Sequence, residues 1–305
     1  MKAHGLLFVD KSPGRTSHDV VEEARKLIRL RKIGHTGTLD PAASGLMVLC
    51  LGAAVRLQQF LTGMNKTYVG QVRFGFATTT YDAEGEPMGE PKAVPALRLA
   101  ELNALAERFT GDIVQAPPPF SAKRFGGKRF YEMARAGLEV PKVEKRVKVM
   151  RFVFTAAEGD RASFEIECGS GTYIRSLAHE LGERLGCGGH LFSLRREKIG
   201  DFSLERAITL EALKAIMPAE RLQGGHFVTL SDIQLPIPTA VVDNLQARKL
   251  AHGQTVTQYD PDFPRASKGG HIQILNADRQ FIGVGEVKTG EGGSIVIAPK
   301  VILAP

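Results

Sequence analysis

Asp40 is the residue of this chain whose setting most invites chemistry. It stands in Gly34-His35-Thr36-Gly37-Thr38-Leu39-Asp40-Pro41-Ala42-Ala43-Ser44-Gly45, where glycines and a proline bracket a single acid. Such a stretch continues neither a helix nor a central strand, so it holds side chains in fixed directions between its neighbours. The run behind it, Leu46-Met47-Val48-Leu49-Cys50-Leu51, is apolar enough to be fully buried. An acid at the lip of a buried element is either a turn former, as Asp before Pro commonly is, or a reactive group. Three further blocks carry groups of chemical interest: Lys66-Thr67-Tyr68, Gly171-Thr172-Tyr173-Ile174-Arg175 and Leu194-Arg195-Arg196. Taken singly, each has a structural reading. His35 is a hydrogen-bonding loop histidine, Tyr68 packs at a strand start, and Thr172 caps a helix ahead of an exposed Arg175.

Taken together they read differently. GHTGTLDPAASGLMVLCLG, followed in order by the KTY, GTYIR and LRR blocks, closely resembles the signature of the TruB family of pseudouridine synthases. The resemblance implies that Asp40 is the essential catalytic aspartate and that His35 contacts the target nucleotide region, helping to hold the base out of the RNA stack. It implies that Tyr68 stacks on the flipped uracil and that its hydroxyl is the candidate for removing the C5 proton. It also implies that Arg175 pairs with the aspartate, that Tyr173 packs below the base and that Leu194 lines the uracil pocket. A guanidinium fork set on the carboxylate would keep that acid ionised and aimed. Lys11 matches a family lysine that is commonly followed directly by proline; here Ser12 intervenes before Pro13. Arg124 stands where better-known members carry lysine.

Net charge is +7, and its placement matters more than its size. Residues 228–305 hold seven Lys/Arg and seven Asp/Glu, so the excess lies before them. Residues 123–151 carry ten basic groups against three acids, a local +7 that is either a solvated charged hairpin or a phosphate-binding surface. Lys123, Arg124, Lys128 and Arg129 are its leading RNA-binding candidates. Nearby Phe120, Phe125, Phe130 and Tyr131 favour RNA, because aromatic rings stack on bases. The cysteines Cys50, Cys168 and Cys187 are odd in number and scattered, which suits a reducing cytoplasm. No run approaches the length of a membrane span, and residues 1–10 lack a signal-peptide pattern.

The elements that must position these groups follow from periodicity. Gly5–Asp10 reads as a buried strand, and Ser17 as the cap of a helix with Val20, Val21, Ala24, Leu27 and Ile28 on one face. Lys66–Gly75 alternates as a strand with Tyr68, Gly70, Val72 and Phe74 on one side. Leu99–Phe109 is a helix, Tyr131–Ala136 a helical turn, and Arg146–Thr155 and Arg161–Cys168 are strands joined by a turn over Ala156–Asp160. Tyr173–Leu185 is a helix, Leu191–Arg196 a strand, Thr209–Ile216 a short helix and Pro218–Gly225 a linker. Beyond Phe227 lie a helix over Val241–His252 and short β runs at Ile272–Leu275, Phe281–Val287 and Ser294–Ile302, resembling a small barrel.

The fold expected is α+β: a pseudouridine synthase domain on a mainly antiparallel mixed sheet over residues 1–225, with a basic RNA-clamping insertion at about 116–146. Residues 226–305 resemble a PUA domain, the RNA-binding appendage common in the family. The implied reaction is isomerisation of the uridine at position 55, in the T-loop of tRNA, to pseudouridine. The implied partner is the tRNA T stem-loop, with no guide RNA, no membrane and a monomeric, cytoplasmic enzyme. His179-Glu180 is followed by Glu183, not by a second histidine, and no phosphate-binding loop or dinucleotide fingerprint appears, so neither metal nor organic cofactor is expected. Two other readings fit the same residues: a guide-RNA-dependent synthase, and a non-catalytic RNA-binding or tRNA-folding protein.

Overall fold

A strand buries an unbroken apolar run at every position when both of its faces are covered. Two such runs pair in the computed structural model: Gly5–Lys11 lies antiparallel to Ser44–Leu51, with Leu6 opposite Cys50 and Phe8 opposite Val48. The structure describes residues 3–121, 123–136, 138, 141, 143–217, 222, 224–258, 270–290 and 294–303. The paired runs belong to an 11-stranded sheet. Its main path runs from Ile208–Thr209 through Gly5–Lys11, Ser44–Leu51, Gly189–Ile199, Lys66–Phe74, Arg161–Cys168 and Lys145–Glu158 to Gly111–Gln115. Neighbouring strands are antiparallel except at two places. One of these is a seam between Ser44–Leu51 and Gly189–Ile199, held only by Arg195 opposite Ser44 and Arg196 opposite Gly45.

Both faces of the Leu46–Leu51 run are covered, as its composition requires. Leu46, Val48 and Cys50 pack with Leu6 and Phe8 and with Leu275, Phe281 and Val284 of the C-terminal unit. Met47, Leu49 and Leu51 pack under Val20, Val21 and Ala24 of the helix Ser17–Ile28. Across the seam, the helix Ile174–Arg184 lays Ile174, Leu177, Ala178 and Leu181 on Val72, Phe164 and Ile166. The seam therefore lies where two differently covered parts of one sheet meet, bridged by Tyr68 and Leu194, which pack against both cores, and the Asp40 turn leads directly into the strand Ser44–Leu51 beside it.

Local chemistry moved several boundaries. Thr16, not Ser17, caps the first helix; its hydroxyl accepts from the Asp19 amide while the Asp19 carboxylate accepts from the Thr16 amide. The Lys145–Glu158 strand outruns its expected end, so its hairpin turn shrinks to Gly159 and Asp160, with Gly159 at φ +58°. The C-terminal helix begins at Asn244, because Asp243 and Gln246 form a capping box and Thr239–Val241 is spent as a strand beside His271–Leu275. That strand opens a five-stranded sheet completed by Phe281–Thr289, Ile295–Ile302 and Val256–Gln258. Phe227–Thr229, which composition assigns to the tail, is hydrogen-bonded to Gly5–Leu7 at the edge of the large sheet. Of the expected linker, residues 218–221 and 223 lie outside the described residues, whereas Leu222 is buried in the core. Among the described residues no helix is long and apolar enough to cross a membrane.

Candidate active site

The turn that carries Asp40 is pinned by three buried side chains. Lys11 is fully buried, and its ammonium donates to the carbonyls of Ser12, Pro41 and Ala43. Ser17 faces inward from the first helix; its hydroxyl accepts from the Leu39 amide at 2.8 Å and lies 3.0 Å from the Leu39 carbonyl. Arg196, 1% exposed, donates to the carbonyls of Gly37, Thr38 and Leu46. Gly45 must be glycine at the seam: its φ is +103°, and a Cβ there would stand 2.3 Å from the Arg196 carbonyl. Loop residues clamped in this way keep one geometry, as a reacting group requires.

Asp40 faces an open cavity of about 530 Å³, walled by Tyr68, Tyr173, Arg175, Leu194 and Arg196. Arg175 Nε lies 2.9 Å from Asp40 Oδ2, with Arg175 buried and the Asp40 side chain 41% exposed to the cavity. The Nε–H is not aimed for a hydrogen bond, so the contact is one of charge. The fork expected on the Asp40 carboxylate is spent elsewhere. One terminal nitrogen donates to the Thr80 carbonyl and the other to the Phe120 carbonyl, each at 3.0 Å. Asp82, itself buried, approaches the same guanidinium at 3.5 Å. Arg175 is thus a fixed cation between two carboxylates, locked by backbone rather than by its partner.

Tyr173 stands one residue before the helix Ile174–Arg184. Its backbone is gripped by the Gln115 amide, which accepts from the Tyr173 N–H at 2.7 Å and donates to its carbonyl at 2.9 Å. Tyr68 and Arg196 are direct cross-strand partners, and Leu194 pairs with Gly70. Lys66 lies two positions before Tyr68 on the same strand and lines the same cavity.

Burial sets the ionisation of these groups. Burial lowers the Lys11 ammonium to about 8 although the Asp40 charge pulls it back up. Lys66 is lowered to about 8, first by burial and then by the Arg196 charge. Burial pushes the phenols of Tyr68 and Tyr173 above their ordinary values, so both are neutral at pH 7. Burial, then Arg196, lowers His35 from its ordinary value.

The structure brings Asp40, Tyr68, Tyr173, Arg175 and Leu194 together around one cavity, with Lys123 on its wall. His35 stands outside that wall, on the strand Ile33–His35, one residue before Thr36, which lines it. Its buried Nδ1 has no hydrogen-bond partner. Arg124–Phe125 and Lys128–Arg129 form a small hairpin whose turn, Gly126-Gly127, has positive φ at both residues; their side chains lie outside the description. Phe130 is fully buried and is therefore a core residue rather than a base-stacking one. Sequence reasoning missed the roles of Ser17, Lys66, Asp82, Gln115 and Arg196. Lys66 was accessible through the two-residue strand period it shares with Tyr68. Arg196 stands inside the Leu194-Arg195-Arg196 block, but its contacts with the Asp40 turn, like the contacts of Ser17, Asp82 and Gln115, join distant elements and carry no local signal.

The model of the TruB family pseudouridylate synthase N-terminal domain matches residues 25–174. That of the tRNA pseudouridylate synthase B C-terminal domain matches 175–242, and that of the pseudouridine synthase II TruB C-terminal region matches 238–303. The chain belongs to the TruB family. Proteins named tRNA pseudouridine synthase B are similar to it along nearly their whole length. That of Solibacter usitatus (strain Ellin6076) is 39% identical over 290 residues, covering 93% of this chain and 95% of the relative. That of Burkholderia pseudomallei (strain 668) is 38% identical over 297 residues, covering 97% and 95%. Among solved structures, a chain of a Cbf5-Nop10-Gar1 complex superposes with TM-score 0.77 at 25% identity, over 99% of this chain and 85% of that one. The fold of this TruB family member is the pseudouridine synthase fold, with a C-terminal sheet consistent with a PUA-like domain.

Proposed function

We propose that the chain isomerises the uridine at position 55, in the T-loop of tRNA, to pseudouridine, acting alone. The observation that carries this reading is the Asp40–Arg175 pair, set 2.9 Å apart at the wall of a cavity shared with Tyr68, Tyr173 and Leu194. A base packed in an RNA loop hides its glycosidic bond, so the uridine must leave the stack and enter that cavity. Asp40 then acts as carboxylate, either by attacking C1′ of the ribose or by taking its 2′ proton. The C1′–N1 bond breaks with its electron pair on the ring. The freed uracil turns, rejoins C1′ through C5 and gives up its C5 proton. Tyr68 stacks on the ring, and its hydroxyl takes that proton. As a neutral phenol it does so only while passing its own proton on. His35 holds the flanking nucleotides, and Lys123, Arg124, Lys128 and Arg129 grip phosphates.

Identity favours the stand-alone over the guide-dependent reading: relatives named tRNA pseudouridine synthase B match at 36–39%, against 23–25% for chains of the structures whose titles name Cbf5. Incubation with an unmodified tRNA transcript, followed by carbodiimide-stopped primer extension, tests the proposal. A single new stop in the T-loop is expected. Stops at many uridines, or none without an added guide RNA, would overturn it.

A further inference from the structure

The cavity lining holds two buried cations, Arg196 and Lys66, that the reaction just proposed does not use. Arg196 is 1% exposed and Lys66 6%. Burying a charge is costly unless it is paired, yet among the described residues neither of these makes an ion pair with a carboxylate. Their hydrogen-bond partners are neutral: Arg196 donates to the carbonyls of Gly37, Thr38 and Leu46, and Lys66 to those of Thr62 and Met64. The two cations are close neighbours, since a Cβ added at Gly37 would touch Arg196 at 3.4 Å and Lys66 at 3.7 Å. Both lie beside Tyr68, Arg196 as its direct cross-strand partner and Lys66 two residues before it on the same strand. Both line the cavity. The positive charge of Arg196 acts on Lys11, His35, Lys66 and Tyr68 alike. A buried cation pair without a counter-ion, open to a substrate cavity, is built for an anion that arrives or arises there.

We infer that Arg196, backed by Lys66, stabilises the uracil anion that exists between cleavage of the C1′–N1 bond and reattachment through C5. The inference rests on the reaction proposed above and names where its charge goes. Before cleavage the negative charge is on Asp40, beside Arg175. When an Asp40 oxygen bonds to C1′, or takes the 2′ proton, the C1′–N1 electron pair passes to the ring, and the charge spreads over N1, O2 and O4. When C5 of the ring bonds to C1′, that pair is returned and Asp40 regains its charge. The charge thus moves between two cations of the cavity lining, Arg175 and Arg196, and the balance is the same on either route. Tyr68 and Leu194 flank the ring without formal charge, Arg175 already faces Asp40, and Lys123 and Lys145 are less buried, which leaves Arg196 and Lys66 as the buried, unpaired cations of the lining. Arg196 also clamps the Asp40 turn, so it has both a positioning role and an electrostatic one.

The test separates the two roles by changing the leaving group. Fluorine at C5 withdraws electron density and makes the uracil anion intrinsically more stable, so a 5-fluorouridine substrate needs the Arg196 charge less. Arg196→Gln and wild type are compared in single turnover on T stem-loops carrying labelled uridine or 5-fluorouridine. Cleavage is read as conversion of the labelled nucleoside to its C-glycoside. On uridine, Arg196→Gln should lose about 10²–10³-fold in the single-turnover rate at saturating enzyme, the loss typical of one charge-stabilising donor, with RNA binding within a few-fold. On 5-fluorouridine the deficit should shrink at least about tenfold. A misplaced Asp40 turn slows both substrates equally, so equal deficits, or a loss confined to RNA affinity, would overturn the inference. If Arg196→Gln does not fold, Lys66→Gln carries the same substrate comparison, with a smaller deficit that shrinks in the same way. A wild-type enzyme that leaves uridine unconverted would instead overturn the proposed function, which keeps the two failures apart.

Discussion

Arg175 fixes itself before it acts on Asp40. Two of its nitrogens hold the Thr80 and Phe120 carbonyls, which leaves Nε to face the carboxylate. Arg175→Lys should therefore fail for a reason other than a missing fork on Asp40. A lysine cannot reach both carbonyls and the aspartate at once, and each buried carbonyl left unpaired costs about 1–3 kcal/mol. We expect kcat to fall by about 10²-fold or more together with a lower melting temperature; a variant with near-normal kcat and unchanged melting would contradict the geometry. Lys66 gives a prediction of definite sign. Folding lowers its ammonium from 10.5 to about 8, so between those values the unfolded chain still binds a proton that the folded chain has released. Stability should then rise with pH across that window. Measured against Lys66→Met by urea denaturation, wild type should gain about 3 kcal/mol between pH 8 and pH 10.5. A difference that stays flat with pH would show that Lys66 titrates as an exposed lysine. At this scale Asp40, Tyr68, Tyr173, Arg175 and Leu194 were singled out because their blocks sit in contiguous sequence. The contacts of Asp82 and of Arg196 were not legible, although Arg196 shares a block with Leu194, because they join elements distant in sequence.

The elements that carry these residues were legible wherever the apolar pattern was strong. The helix over Ile174–Arg184 follows directly from its periodicity, and the burial of the Leu46–Leu51 run from its unbroken apolar composition. The hydroxyl choice at Thr16 and Ser17 was not legible, since both residues can cap and only the Leu39 turn packed above decides which of them faces inward. The seam beside Gly45 was invisible for the same reason: the pairing that makes it spans some 150 residues. Gly45→Ala should cost about 1–3 kcal/mol from its positive φ alone, and more from the collision with the Arg196 carbonyl; a melting temperature equal to that of wild type would refute this account of the seam. In the basic segment, Lys123 and Lys145 line the cavity while the exposed Arg146 and Lys148 point elsewhere. Arg146→Ala with Lys148→Ala should weaken binding uniformly across RNA sequences. The slope of log affinity against log salt should flatten by about 0.7–0.9 for each phosphate that is no longer neutralised. An unchanged slope would make this face a solvated one.

Over the whole molecule, composition separated a basic, mixed α+β part from a neutral β-rich tail, and the tail does form its own five-stranded sheet. Composition could not show how closely the two are joined. Phe227–Thr229 closes the edge of the large sheet, and Leu275, Phe281, Val284 and Val301 share one core with Leu6, Phe8, Leu46 and Val48. A chain ending at residue 225 would expose that apolar face and lose an edge strand. Such a truncation should aggregate or melt far below the full chain, whereas a soluble, cooperatively melting product would show that the first unit stands alone. Selection of the uridine belongs to this scale as well. Under the proposed function, the cavity would tell uracil from a purine by size but not one uridine from another, so position would be read from RNA shape around the flipped base. An isolated T stem-loop should be modified almost as well as whole tRNA, and a uridine-rich anticodon stem-loop should not be modified.

Tritium release from C5-labelled uridine in a T stem-loop, compared between wild type and Asp40→Asn, tests the central claim most directly, because it reports departure of the C5 proton and nothing else. The account predicts stoichiometric release at one uridine by wild type, and release below detection by Asp40→Asn with RNA affinity held within a few-fold, since that change removes the reacting oxygen charge and leaves every phosphate-binding group in place. Substantial release by Asp40→Asn, or none by wild type, would contradict it.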